Sequence, residues 1–187
     1  MKRLCVVLAV VAPSVVGGCG GGPKVVVEAR GLDPATQQTV ALPDLPVRLL
    51  PYDRDAIFDS LRAAARSPEP EIPLPLVAEE SDTTPPAPTA ASLDSLHAAR
   101  RAWAAQTFAP FDSIARAKAK AAGRVEMVDT TDTSGTARFR VEPARWWIYA
   151  RYVLPDRELY WNVPLEVGRA GAQIRLTPAN AQSRPLF

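Results

Sequence analysis

The sequence predicts a mainly β fold with an α insertion, an antiparallel Greek-key sandwich of about seven strands plus a helical hairpin. Three observations predict it. Apolar and polar residues alternate at period two in short stretches near both ends of the chain, from Lys24 and again from Val125. Turn-forming residues break those stretches at roughly the 8- to 12-residue spacing of sandwiches. Between them, residues 53–122 change to helical spacing, divided by a proline-rich connector at 67–91.

The first strand starts at Lys24 and places Val25, Val27 and Ala29 on one face; Leu45 to Leu50 form a second after a turn-rich segment ending at Pro43. At Tyr52-Asp53-Arg54-Asp55 the period changes. Asp53 suits a helix N-cap, Asp55 suits the positive end of the helix dipole, and Ile57, Phe58, Leu61 and Ala65 form one apolar stripe. Pro68, Pro70, Pro73, Pro75, Pro85, Pro86 and Pro88 then exclude a continuous helix. Ser92 to Ala122 is alanine-rich and helical, carrying Leu93, Leu96, Trp103, Phe108, Phe111 and Ile114. Pro110 predicts a kink or break and Gly123 a C-terminal stop.

Beyond Gly123, Val125, Met127 and Asp129 open another strand, and Asp132-Thr133-Ser134-Gly135 supplies turn chemistry. Ala137, Phe139 and Val141 alternate with Arg138, Arg140 and Glu142. The strand Trp146 to Val153 puts Trp146, Ile148, Ala150 and Tyr152 on one face and Trp147, Tyr149 and Arg151 on the other. Leu159 to Val167 pairs a core face containing Trp161 with an opposite face of Tyr160, Asn162 and Glu166. Gln173 to Thr177 closes a domain spanning 24–178, and 179–187 are expected to form a tail.

The N-terminus carries a different message. Met1-Lys2-Arg3 precedes the apolar run Leu4 to Val11 and the small residues Val16-Gly17-Gly18-Cys19, the order of an export signal. The apolar run is shorter than the roughly 20 residues a membrane span needs. Val16-Gly17-Gly18-Cys19 resembles the lipobox of bacterial lipoproteins. That resemblance implies removal of residues 1–18, lipidation of Cys19, and a tether at 19–23. It also implies anchoring at the cell envelope, with Gly20 pointing to the outer membrane and the body facing the periplasm or exterior. Cys5, the other of two cysteines, would leave with the signal, so the processed chain has no disulfide pair. Loss of Lys2 and Arg3 from 22 basic residues would leave 20 against 20 acidic ones, and a neutral chain does not favour nucleic acid. The expected partners are the membrane, through lipid on Cys19, and an envelope protein or glycan.

The run from Thr131 to Trp147, TDTSGTARFRVEPARWW, resembles the signature of carboxypeptidase regulatory-like, transthyretin-like domains. In that family a Thr-Asp-x-x-Gly turn leads into a strand with a buried aromatic, and a Pro-x-Gly turn into a strand beginning Tyr or Trp. The stretch Lys24 to Arg48 fits as the first strands before Pro46-Val47. Ala144 stands where the family has glycine, and residues 53–122 add helices that the common module lacks. The resemblance covers about half of the processed chain. It implies a small Greek-key sandwich used for adhesion or spacing, without peptidase activity.

No catalytic set is expected, nor any cofactor or metal. The one histidine, His97, lies in a predicted helix beside Arg100 and Arg101 and reads as a surface residue. Asp53, Asp55 and Asp59 are explained by a helix start, and Asp129, Asp132 and Gly135 by a hairpin turn in preference to a calcium loop. Glu79, Glu80 and Asp82 read as a solvated charge run. Aromatics are the best lead on binding: Trp147, Tyr149 and Tyr160 beside Arg138 and Arg151 would form a platform for sugar rings or a peptide if that sheet face were open. Covering by the helices would make them a second core layer, which the apolar stripes of both helices favour. The expected function is therefore a membrane-tethered, non-enzymatic binding or scaffolding module. Two alternatives are an accessory lipoprotein of an envelope assembly complex, touching its partner through the helical hairpin, and a glycan-binding module or glycan-active enzyme.

Overall fold

Two β-sheets pack face to face, and helices lie across the outer face of one of them. The structure, a computed structural model, describes residues 21–33, 36, 38–71, 90–155 and 157–185, except for the side chains of 90–92 and 185. The signal segment 1–18, Cys19 and connector residues 72–89 lie outside the described residues. Among the described residues the strands are β1 (Lys24–Leu32), β2 (Thr39–Ala41), β3 (Pro46–Leu50), β4 (Met127–Thr130), β5 (Thr136–Arg140), β6 (Ala144–Val153), β7 (Arg157–Val167), β8 (Ala172–Leu176) and β9 (Gln182–Pro185). The helices are α1 (Arg54–Ala63), α2 (Ala90–Thr107) and α3 (Phe111–Ala121).

β1 joins β2, β5 and β8 in one sheet; β4-β3-β6-β7-β9 form the other. The predicted alternation sets the layers. Val25, Val27, Ala29, Ala137, Phe139 and Leu176 of the first sheet meet Val47, Leu49, Trp146, Ile148, Ala150, Leu159 and Trp161 of the second in one buried core. Trp161 is fully buried, and its indole N–H donates to the Thr177 carbonyl and to Asn180 Oδ1, both at 3.0 Å. The sandwich expected from sequence is present, with three differences. β2 forms within the segment expected to be turn-rich and pairs with β1, Arg30 opposite Ala41. β8 runs parallel to β1, with Val25 opposite Ala172, because it crosses from the other sheet after Gly168–Gly171 instead of returning by a hairpin. The expected tail supplies a further strand, since β9 pairs with the start of β7, Tyr160 opposite Gln182.

Local chemistry fixes the insertion. The Asp53 side chain caps α1 by accepting from the Asp55 and Ala56 amides at 3.0 and 3.2 Å. Pro110 separates α2 from α3, and Gly123, with φ 64°, ends α3. The Gly123 amide donates to the Lys120 carbonyl and the Arg124 amide to that of Ala119, a two-bond helix stop that requires a left-handed residue. α1 and α3 lie over the outer face of the five-stranded sheet. There Ile57 and Ala115 pack with Leu50, Tyr52, Tyr149 and Tyr160, joined by Leu61, Phe111, Ile114 and Trp147. This is a second, smaller core, separated from the first by the sheet itself.

Candidate functional site

The site begins with the first residue of α1. The Arg54 guanidinium carbon lies 4.5, 4.6 and 4.9 Å from the ring centres of Phe111, Tyr149 and Phe58. Phe58 and Phe111 stack on each other at 4.6 Å, so one aromatic cluster holds the cation in place. Arg54 Nε is buried without a hydrogen-bond partner, and the guanidinium makes no ion pair among the described residues. An arginine in a partly apolar setting normally finds a carboxylate, because it cannot lose its charge. This one lies against three aromatic rings, with no carboxylate partner among the described residues.

Arg54 lines a cleft of about 670 Å³. One wall is α3, where Asp112, Arg116 and Lys120 follow one another a helical turn apart, with Ala115 and Ala119 as the apolar part of the same side. The opposite wall comes from Arg48, Tyr52 and residues 123–126. Arg48 Nε lies 2.6 Å from Glu126 Oε1, and the Tyr52 hydroxyl donates to Glu126 Oε2 at 3.5 Å. Burial, reinforced by the Glu126 charge, pushes the Tyr52 phenol above its ordinary pKa. Arg124 donates to the Arg145 carbonyl at 2.7 Å, approaches Glu142 at 3.5 Å, and lies over the Trp146 ring. Among the lining residues five cations, Arg48, Arg54, Arg116, Lys120 and Arg124, face two acids, Asp112 and Glu126.

The residues singled out from sequence go to different places. Trp147, Tyr149 and Tyr160 do share one sheet face, but the helices cover it: Tyr149 is 9% exposed and Tyr160 3%, and Trp147 is half-buried beneath the Arg145 guanidinium. The Tyr160 hydroxyl donates to Asp55 Oδ1 at 2.5 Å, and Arg184 lies 3.7 Å from its ring centre. Burial and that carboxylate both raise the phenol's pKa, burial more. An open aromatic platform is therefore not formed, because the apolar stripes of α1 and α3 need that surface. Arg151 sits exposed, donating from Nε to Glu158 at 3.0 Å. Arg138 is on the other sheet, where its Nη1 meets Asp132 Oδ2 at 2.8 Å. Cys19 lies outside the described residues.

The Asp132 carboxylate accepts from the Ser134 and Thr136 amides and the Ser134 hydroxyl, while Asp129 accepts from the Arg138 amide at 2.8 Å. The Ser134 hydroxyl, the Arg138 guanidinium and the Thr136 and Ser134 amides hold the Asp132 carboxyl well below the usual range. His97 lines a separate hollow on α2 with Trp103 and Phe108. Trp103 is buried and its indole donates to the Ser67 carbonyl at 2.9 Å.

Sequence reasoning missed Arg54, Arg116 and Lys120. The spacing of Asp112, Arg116 and Lys120 is visible in the chain, but which helical side meets the sheet is not. No protein-family model matches the chain, and no curated protein matches it. Among solved structures, one from Pseudomonas aeruginosa, named for a proposed carbohydrate-binding role, matches with a TM-score of 0.37 and 12% identity, covering 84% of this chain and 88% of that one. A likeness of that size carries no argument about function.

Proposed function

We propose that the chain is a non-enzymatic binding module, tethered at the cell envelope by lipid on Cys19, at the outer membrane with its body facing the periplasm or exterior, with the cleft beside α3 as its recognition site. The tether is supported by the sequence order of basic residues, apolar run and Val16-Gly17-Gly18-Cys19. The carboxypeptidase regulatory-like reading is supported by the Asp132–Gly135 turn leading into β5 and its buried Phe139. The single observation that carries the binding role is the cleft itself. It has the volume of a ligand pocket, and a cation fixed by three rings lines it without a carboxylate partner among the described residues.

Glycan recognition on the aromatic sheet face has little room left, since Tyr149 and Tyr160 are covered. The cleft offers an alternative polar surface for an envelope glycan or lipid headgroup. Two measurements test the proposal. Cells given labelled palmitate should label the wild-type chain and not Cys19→Ser; a wild-type chain without label contradicts the tether. NMR spectra titrated with envelope glycans and lipid headgroups should shift resonances of α3 and residues 123–126. Shifts confined to the exposed face of the four-stranded sheet would contradict the cleft as the site.

A further inference from the structure

We infer that the cleft takes a ligand bearing a phosphate or carboxylate group, with Arg54 as its fixed anchor and Arg116 and Lys120 at its rim. This rests on reading the cleft as the recognition site. The cations that line it fall into two groups. Arg48 is matched by Glu126, and Arg124 is engaged by Glu142 and the Arg145 carbonyl. Arg54, Arg116 and Lys120 have no ion-pair partner among the described residues, and the remaining acid, Asp112, pairs with none of them. The cleft is locally cationic in a chain whose processed form is neutral overall, so the bias belongs to this place and not to the composition.

Arg54 supplies the chemical specificity. Its planar guanidinium presents several N–H donors in a fixed fork, which a lysine ammonium of the same charge does not. Three rings lie within 5 Å of its Cζ, but none of them offers an acceptor oxygen to its N–H donors. The buried Nε is left without an acceptor. A carboxylate or phosphate, which sets two oxygens side by side, is the acceptor that matches such a fork, accepting two parallel hydrogen bonds. The fork is already oriented by packing, so little side-chain freedom is lost on binding.

The size of the cleft points to a molecule and not a bare ion, and Phe111, Ala115 and Ala119 give it an apolar side for the ligand's carbon frame. A soluble acidic glycan or phosphate ester and an anionic lipid headgroup share this chemistry. The lipidated full chain in neutral detergent distinguishes them. It is titrated with pyrophosphate, with tetragalacturonate, with neutral maltotetraose, and with bicelles of phosphatidylglycerol or phosphatidylcholine, and amide and Arg54 Nε–H resonances are followed.

We expect one of the soluble anions or the phosphatidylglycerol bicelles to shift Arg54 and the α3 amides, with binding weakened by added salt. Binding should fall about tenfold in an Arg116→Gln/Lys120→Gln double variant, whose exposed substitutions leave the fold unchanged. Arg54→Lys, which keeps the charge and loses the fork, should weaken it as well. A response to the bicelles alone assigns the headgroup as source; a response to the soluble anions assigns the free ligand. Equal shifts with maltotetraose and tetragalacturonate, unaltered in the double variant, would overturn the anion assignment and leave the cleft as a site for neutral ligands. Shifts that avoid the cleft with every probe would overturn both readings.

Discussion

The two outer faces of the sandwich are built by the same alternation and end in opposite surroundings. On the four-stranded sheet the outward positions of β1, β5 and β8 hold Glu28, Arg138, Arg140, Gln173 and Arg175. Glu28 accepts from Gln173 and Arg175 at 2.7 and 3.0 Å in the open. On the five-stranded sheet the outward positions hold Leu50, Trp147, Tyr149 and Tyr160, and α1 and α3 lie over them. Period two decides that a strand has two faces; the residues on the outward face decide whether water or a helix covers it. The covered face is also where the cleft arises, at the margin where α3 and the β3–β4 side fail to close over Arg54.

The sharpest break of this contrast is Ile57→Ala. Ile57 is fully buried between α1 and the sheet, and its truncation should cost about 2–5 kcal/mol in denaturant unfolding. A cost below about 0.5 kcal/mol would mean that the helices rest loosely on the sheet. Next comes Gly135→Ala on the open side. Gly135 has φ 74°, and an added Cβ would sit 2.5 Å from the Ala29 carbonyl oxygen, so a loss of about 1–3 kcal/mol is expected although no side chain is removed. That result would separate tolerance of the open face from tolerance of its turns.

Tyr160→Phe removes one buried hydrogen bond to Asp55 and should cost about 1 kcal/mol. It also carries a pH signature. The folded phenol titrates above the unfolded value of 10.0, so its contribution is complete below that value and declines as pH rises beyond it. Wild-type stability should therefore fall on alkaline titration, with a shallower slope in the variant. The residual slope belongs to Tyr52, shifted the same way. Smallest is Glu28→Gln. The Arg175 hydrogen bond lowers the Glu28 pKa, so its contribution is present at neutral pH and lost in acid. An exposed pair of this kind should leave the unfolding midpoint at pH 7 unchanged within scatter, and salt should change it little.

Much of the fold was legible. The alternation of Val25, Val27 and Ala29, the Asp53 cap, the Pro110 break and the Gly123 stop each follow from one or two residues acting locally, and each is present. β9 and the parallel pairing of β1 with β8 were not legible, because short edge strands and sheet crossings depend on distant partners. The candidate site was legible only in reverse. The aromatic positions Trp147, Tyr149 and Tyr160 marked the correct sheet face, but as a packing surface for helices. Arg54 read as part of a helix start, and nothing in its neighbourhood along the chain signals three rings brought from α1, α3 and β6.

Both the second core and the cleft depend on the five-stranded sheet's outer face being closed. Hydroxyl-radical footprinting of the native chain, read by mass spectrometry, tests it most directly. Tyr149 and Tyr160 should be protected to the level of Trp161 in the central core, with Trp147 more reactive than any of them. Labelling of Tyr149 and Tyr160 at the rate of tyrosines in the unfolded chain would show an open aromatic platform and contradict the helical cover on which the cleft depends.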